Sequence, residues 1–201
     1  VHERDLGPVH LLAAVGVGLE QGIALPTIAA GIAALTNVPG RFERVEAGQS
    51  FTVVVDYAHT EDALFRLLTT AEAVKTGRII TVFGCGGDRD RGKRPKMGRV
   101  SAVYSDVVVV TSDNPRTEDP EAIIREVVPG VEAGLREAGR GRYVVHADRR
   151  VAIEEAVRMA QPGDLVLLAG KGHENYQIIG TNKHPFDDRG VAREAIKALT
   201  R

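Results

Sequence analysis

The sequence predicts an α/β fold: a doubly wound, mostly parallel six-stranded sheet with helices on both faces, Rossmann-like in layout, preceded by a short helical tail. Two observations carry that expectation. Runs of Val, Ile and Leu bounded by charged residues recur along the chain, the mark of strands buried on both faces. Segments with helical periodicity lie between them, so strand and helix alternate.

Residues 8–36 read as two short helices. Leu11, Leu12, Val15 and Leu19 share one face; Ile28, Ile32 and Leu35 share another; Gly22 and Pro26 punctuate them. Val38-Pro39-Gly40 is a turn signal and a candidate boundary, giving a helical segment 1–37 and a main domain 38–201. Strands are then expected at Phe51–Asp56, Arg78–Gly84, Asp106–Thr111, Arg142–His146, Asp164–Ala169 and Tyr176–Ile179. Helices are expected at Asp62–Lys75, Pro95–Tyr104, Pro120–Ala138, Arg149–Ala160 and Asp188–Leu199. Gly180 and Asn182 follow the last strand closely, which predicts a terminal hairpin with an antiparallel edge. Right-handed crossovers gather the loops after the strands on one edge, where such sheets bind ligands.

The chain has 201 residues, 43% of them hydrophobic, enough for one domain with an appended segment. Its 26 basic and 27 acidic residues balance, so nothing calls for nucleic acid or an anionic membrane. A single cysteine, Cys85, excludes an internal disulfide and a cysteine-based zinc site, and a reducing, cytoplasmic setting is expected. No apolar run spans a bilayer. The chain opens Val1-His2-Glu3-Arg4 without an initiator Met and reads as a piece of something longer.

Two strand-end runs are the most informative. Asp113-Asn114-Pro115-Arg116 follows one Val run; Gly170-Lys171-Gly172-His173-Glu174 follows a Leu-Val run. Pro115 stiffens the first and keeps Asn114 extended. Arg116 then offers a planar fork that grips a carboxylate. In the second, glycines let backbone approach a ligand, and Glu174 can accept from an ammonium. Together they suit a small zwitterion. Asp56-Tyr57-Ala58-His59-Thr60 ends another strand, where Asp and His can meet ribose, phosphate or metal; Thr60 or Asp62 also reads simply as a helix cap.

Gly87 through Lys93 imitates a P-loop, but Arg94 and Pro95 follow where Ser or Thr must hold Mg²⁺, and Asp88 and Asp90 would face phosphates. A dinucleotide fingerprint fails as well, because the third glycine is missing. What remains is a flexible turn expected to hand Arg89, Arg91, Lys93 and Arg94 to the rim. Cys85 reads as a small buried residue with no dedicated base.

In this order, Gly40-Arg41-Phe42-Glu43, Asp56-Tyr57-Ala58-His59-Thr60, Phe83-Gly84-Cys85-Gly86-Gly87-Asp88-Arg89-Asp90, Gly92-Lys93-Arg94-Pro95, Asp113-Asn114-Pro115-Arg116 and Gly170-Lys171-Gly172-His173-Glu174 resemble the C-terminal part of a Mur ligase, over nearly the whole chain. The resemblance implies an ATP- and Mg²⁺-dependent amide ligase of peptidoglycan synthesis that adds meso-diaminopimelate to UDP-N-acetylmuramoyl-L-alanyl-D-glutamate through an acyl phosphate. Arg89, Asp113, Asn114, Arg116, Gly170 and Glu174 match positions that hold diaminopimelate. Arg116 belongs to the variant of the run associated with that amino acid, whose second carboxylate lysine lacks. Arg41, Asp56 and His59 match positions that face the nucleotide. His59 and Lys171 are candidates for supporting roles, and no metal ligand falls within this chain.

Two departures accompany the resemblance. Leu6-Gly7-Pro8-Val9-His10 stands where the family carries an Asn-bearing run near adenine. The family's P-loop, catalytic Lys and Mg²⁺ carboxylates have no counterpart, so the isolated chain is expected to be inactive. Residues 1–37 would then be the helical tail of the central ATP-binding domain. The alternatives are a ligase domain of the folylpolyglutamate or cyanophycin type, and a non-catalytic binding module with the same fold.

Overall fold

The computed structural model describes residues 6–35 and 37–199. The positions 1–5, and the side chains of Leu6–His10 where the adenine contacts were at issue, lie outside the described residues. Two compact units divide the chain, Val1–Val38 and Pro39–Arg201.

The first unit holds α1 (Leu6–Glu20) and α2 (Leu25–Ala34). Pro26 sits in the first turn of α2, where its missing N–H costs nothing. Gly18 lies against Ile28. No residue of α2 is buried, and Leu11, Leu12, Leu19 and Leu25 are all exposed.

The second unit runs β1 (Glu43–Arg44), β2 (Thr52–Asp56), α3 (Glu61–Val74), β3 (Ile79–Cys85), α4 (Lys93–Tyr104), β4 (Val107–Ser112), α5 (Pro120–Ala138), β5 (Arg142–His146), α6 (Arg149–Met159), β6 (Leu165–Ala169), β7 (Tyr176–Ile179), β8 (Asn182–Pro185) and α7 (Asp188–Leu199). Six strands form one sheet in the order β1-β2-β6-β3-β4-β5. All neighbours are parallel except β1, which is antiparallel to β2.

Alternation along the strands decides the two faces. Val54, Ile79, Phe83, Val108, Val110, Leu165 and Leu167 point to one side and meet Leu64 and Leu68 of α3, Met97 of α4, and Ile123, Val127 and Val131 of α5. Val53, Val55, Ile80, Val82, Val109, Val166 and Leu168 point to the other and meet Ile153 and Val157 of α6 with Val191 and Ile196 of α7. Each such side chain contributes about 1.5–3 kcal/mol by leaving water. The helices begin where their caps allow. The Thr60 hydroxyl accepts from Ala63 N–H, and the carboxylates of Asp119 and Asp148 accept from the first turns of α5 and α6.

The sheet has six strands as expected, with one change of membership. Tyr176–Ile179 is a strand, and the expected hairpin forms, but β7 pairs with β8 in a separate ribbon. The antiparallel edge comes instead from Glu43–Arg44, two polar residues with no alternation to announce them. Among the described residues, no helix is long and apolar enough to cross a membrane.

Candidate functional site

Parallel pairing sets the site. Asp56 pairs with Ala169, and Cys85 pairs with Ser112, so the loops after β2, β6, β3 and β4 all leave the same edge. They enclose an open cleft of about 420 Å³. Arg89, Asp113, Asn114, Arg116, Gly170 and Glu174, the six residues expected around an amino acid, all line it. His59 lines it too.

Asp113 and Asn114 are buried at the cleft floor. The Asn114 Oδ1 accepts from Lys171 Nζ at 3.1 Å and from the Ile178 N–H at 2.9 Å. Its Nδ2 donates to Glu174 Oε2 at 3.0 Å. Lys171 Nζ also stands 3.2 Å from Asp113 Oδ1, and Tyr57 OH donates weakly to Glu174 Oε1 at 3.5 Å. Two carboxylates therefore face one side of the cleft with a single buried cation beneath them.

Cationic groups line the same cleft. Arg116 adopts φ 51°, left-handed and unfavourable for a side-chain-bearing residue. The ribbon holds it there: Arg116 N–H donates to Ile178 O at 3.1 Å, and Gly180 N–H donates to Arg116 O at 2.7 Å. One guanidinium nitrogen, Nη1, donates to Gly87 O at 2.9 Å. No other guanidinium nitrogen of Arg116 bonds to the described residues. Arg89 is exposed beside it.

The nucleotide-side expectation meets a second, adjoining cluster. The Arg41 guanidinium lies 5.1 Å from the Tyr57 ring centre, and the tilted rings of His59 and His173 lie 4.6 and 5.2 Å from it. Asp56 does not face outward as a free ligand, since its Oδ2 accepts from Phe42 N–H at 2.8 Å. Burial pushes its carboxyl above the ordinary range, against the Phe42 and Ala58 N–H groups and Arg41. Burial, then the Glu174 charge, likewise raises the Tyr57 phenol. His59 Nδ1 lies 2.8 Å from Tyr57 O, a pure acceptor, so Nδ1 donates there. Neither Arg41 nor Asp56 lines the cleft itself.

Gly40 and Gly172 join the two clusters. Gly40 has φ 69° and Gly172 has φ 51°. A Cβ on Gly40 would fall 2.1 Å from His173 N, so the two turns touch backbone to backbone.

The basic loop behaves differently from expectation. Arg89 and Lys93 reach the cleft. Arg94 is fully buried on α4 and paired with Glu118 and Glu126, and Arg91 pairs with Glu126. Those partners come from the next loop and helix, which no local pattern announces. Residues not singled out beforehand also belong to the cleft wall. Tyr57 is one, signalled by its place after Asp56. Gln177 does not line the cleft, but its Nε2 donates to Asp113 O at 2.7 Å, a support that had no signal. Cys85 is buried beside Met97, and burial pushes its thiol up to about 12, so it is no nucleophile. Among the described residues no three His, Cys, Asp or Glu side chains gather as metal ligands do.

Comparison with known proteins places this geometry. The family model described as Mur ligase, glutamate ligase domain, matches residues 40–172. A protein of Geobacter metallireducens named UDP-N-acetylmuramoyl-L-alanyl-D-glutamate–2,6-diaminopimelate ligase is 52% identical, over 99% of this chain and 42% of its own length. A protein of the same name from Gloeobacter violaceus is 54% identical, over 93% of this chain and 37% of its own. A solved structure of a ligase of that name aligns with TM-score 0.73 and 41% identity, over 94% of this chain and 38% of the other. A folylpolyglutamate synthase from Thermotoga maritima aligns at TM-score 0.52 and 19% identity over 74% of this chain and 31% of its own, a likeness of fold alone. The chain thus spans about two fifths of the length of the relatives it matches. It belongs to the Mur ligase family and carries that family's glutamate ligase domain.

Proposed function

We propose that this chain is the amino-acid-binding part of a ligase that adds meso-diaminopimelate to UDP-N-acetylmuramoyl-L-alanyl-D-glutamate. One observation carries the reading: a single cleft is lined by two carboxylates, Asp113 and Glu174, and by two arginines, Arg89 and Arg116. Diaminopimelate has an ammonium and a carboxylate at each end, and lysine lacks the distal carboxylate. In this reading Glu174 and the Gly170 carbonyl take the distal ammonium. The Arg116 fork takes the distal carboxylate, and Asn114 adds an N–H.

In the complete polypeptide, the ATP γ-phosphoryl group would pass to the substrate carboxylate, releasing ADP. The amine nitrogen, stripped of its proton, would attack the acyl carbon, and phosphate would leave as the amide forms. His59, which lines the cleft with its Nδ1 committed to Tyr57 O, is the group of this chain assigned to take that proton. Arg41 on Tyr57 offers a flat cationic face to a nucleotide that arrives when domains close. In this reading Mg²⁺ is assigned to the rest of the polypeptide, and no step runs through it here. The exposed apolar helices α1 and α2 suit packing on that same remainder, as the tail of a central domain. A reducing cytoplasm suits the lone thiol.

The test is Arg116→Ala in the complete ligase, assayed with meso-diaminopimelate and L-lysine. An Arg left without its carboxylate rejects lysine by roughly 10²-fold or more. The variant is expected to lose that preference mainly through a higher KM for meso-diaminopimelate. Unchanged selectivity would sink the assignment.

A further inference from the structure

Lys171 is fully buried, a rare state for lysine. Its ammonium is satisfied by groups from three segments. Nζ donates to Tyr176 O at 2.8 Å and to Asn114 Oδ1 at 3.1 Å, and stands 3.2 Å from Asp113 Oδ1 and 3.7 Å from Glu174 Oε2. The loop after β4, the loop after β6 and the ribbon thus converge on one atom.

The consequence lies in Asn114. A carboxamide accepts at one end and donates at the other, and the two ends are nearly identical in shape. Its orientation is therefore decided by its partners. Both Lys171 Nζ and Ile178 N–H can only donate, and both point at the same end of Asn114. That end must be the carbonyl. Flipping the amide would set its NH₂ against two donors and leave a buried ammonium short of an acceptor, which is costly. The NH₂ is consequently turned toward Glu174 and the cleft. An NH₂ there favours a carboxylate on the ligand; a carbonyl there would favour an ammonium.

We propose that Lys171 is a positioning residue for amino-acid selectivity: it fixes the polarity of the Asn114 amide and so makes the cleft read a carboxylate. This rests on the amino-acid reading above. Lys171 itself touches no ligand in this account. Ile178 N–H alone is a weaker lock, since a backbone amide can be served by water once the ribbon shifts.

The experiment uses the complete ligase with Lys171→Met and Lys171→Gln. Met keeps the length of the side chain and removes every donor. Gln keeps an N–H that can still reach Asn114 Oδ1. Lys171→Met is expected to lower the kcat/KM preference for meso-diaminopimelate over L-lysine about tenfold or more, the effect of misplacing one buried hydrogen-bonding group. The loss should appear in the KM for meso-diaminopimelate, with the KM for ATP unchanged. Lys171→Gln should recover most of the selectivity. A Met variant as selective as wild type, or a Gln variant as unselective as Met, overturns the proposal. So does a common rise in the KM of ATP and amino acid, which marks a merely structural role.

A measurement on the wild-type protein stands apart from whether the variants fold. The Asn114 side-chain NH₂ protons should give stronger NOEs to the Glu174 side chain than to Ile178 H–N, and the reverse ratio overturns the proposal. Wild-type enzyme with no preference for meso-diaminopimelate would instead refute the functional reading, and the NOE would still decide how Lys171 orients Asn114.

Discussion

Glu118, half-buried behind the glycine loop, holds two elements together. Its Oε1 accepts from Arg94 Nη2 at 2.7 Å and from Asp88 N–H at 2.6 Å, so it clasps the glycine loop to α4. Asp88 sits at φ 53°, and its carboxylate also accepts from the Thr117 hydroxyl at 2.8 Å. This clasp sets the base from which Arg89 projects. The Arg94 hydrogen bonds, then the Asp88 N–H, hold the Glu118 carboxyl at about 2, below its ordinary 4.5. The folded state therefore binds this proton less readily than the unfolded one. The clasp's contribution is complete above pH 4.5 and fades as pH falls toward 2. A ¹³C titration of the Glu118 carboxyl should give a midpoint near 2, and Glu118→Gln should flatten the acid limb of the stability curve over that interval. A midpoint near 4.5 would mean the clasp is not formed in solution. Residues such as Asn114, Arg116 and Glu174 were legible because each follows a Val or Leu strand run directly. The Glu118–Arg94 pair was not, because a carboxylate and a guanidinium separated by a loop leave no periodicity to detect. Arg94 was accordingly expected at the rim, and it is buried instead.

At the level of elements, the turn ahead of β1 carries more than its length suggests. Gly40 N–H donates to Glu43 Oε2 at 2.7 Å, Glu43 in turn faces Arg189 of α7 at 3.5 Å, and Phe42 follows at φ 44°. Gly40→Ala adds a Cβ against His173 N in a left-handed conformation, so turn and loop must part. The loss should exceed about 1 kcal/mol, the left-handed penalty alone. Urea denaturation measures it, and a smaller loss would show that the two turns are not in contact. The paired turns also seat Arg41 over Tyr57, so the proposed nucleotide contact should weaken along with stability. The long strands were legible from their apolar runs. β1 was invisible because two polar residues carry no pattern, and β7 was seen as a strand but placed in the wrong sheet. Extended geometry is a local property, whereas choice of partner is set by the ribbon's bonds to Arg116 and Asn114.

Across the whole molecule, one buried ion pair ties the second helical layer to the site edge. Arg149 of α6 and Asp188 of α7 are both fully buried and meet in two hydrogen bonds, at 2.9 and 2.6 Å. Arg149 Nη2 also donates to Ala169 O at 3.0 Å, the last carbonyl of β6 before Gly170. Burial works against the Arg149 charge, but Asp188 outweighs it and raises the guanidinium further. Removing either partner strands the other, and Arg149→Met or Asp188→Leu should each cost about 3–5 kcal/mol. The double variant Arg149→Met/Asp188→Leu should recover part of that loss, because it leaves no orphaned charge. Additive losses in chemical denaturation would show that the pair is not coupled.

The strand order has a further consequence, for synthesis. β6 lies between β2 and β3 in space but follows both in the chain, so Thr52 must wait for Leu165 and Ile79 must wait for the same residue. A nascent chain that has emerged only as far as α6 carries two unpaired Val- and Ile-rich edges, the surfaces most prone to wrong association on the ribosome. Insertion of β6 closes both edges at once. Gly170 and Glu174 arrive directly behind it, so the last step of sheet closure also delivers one wall of the cleft.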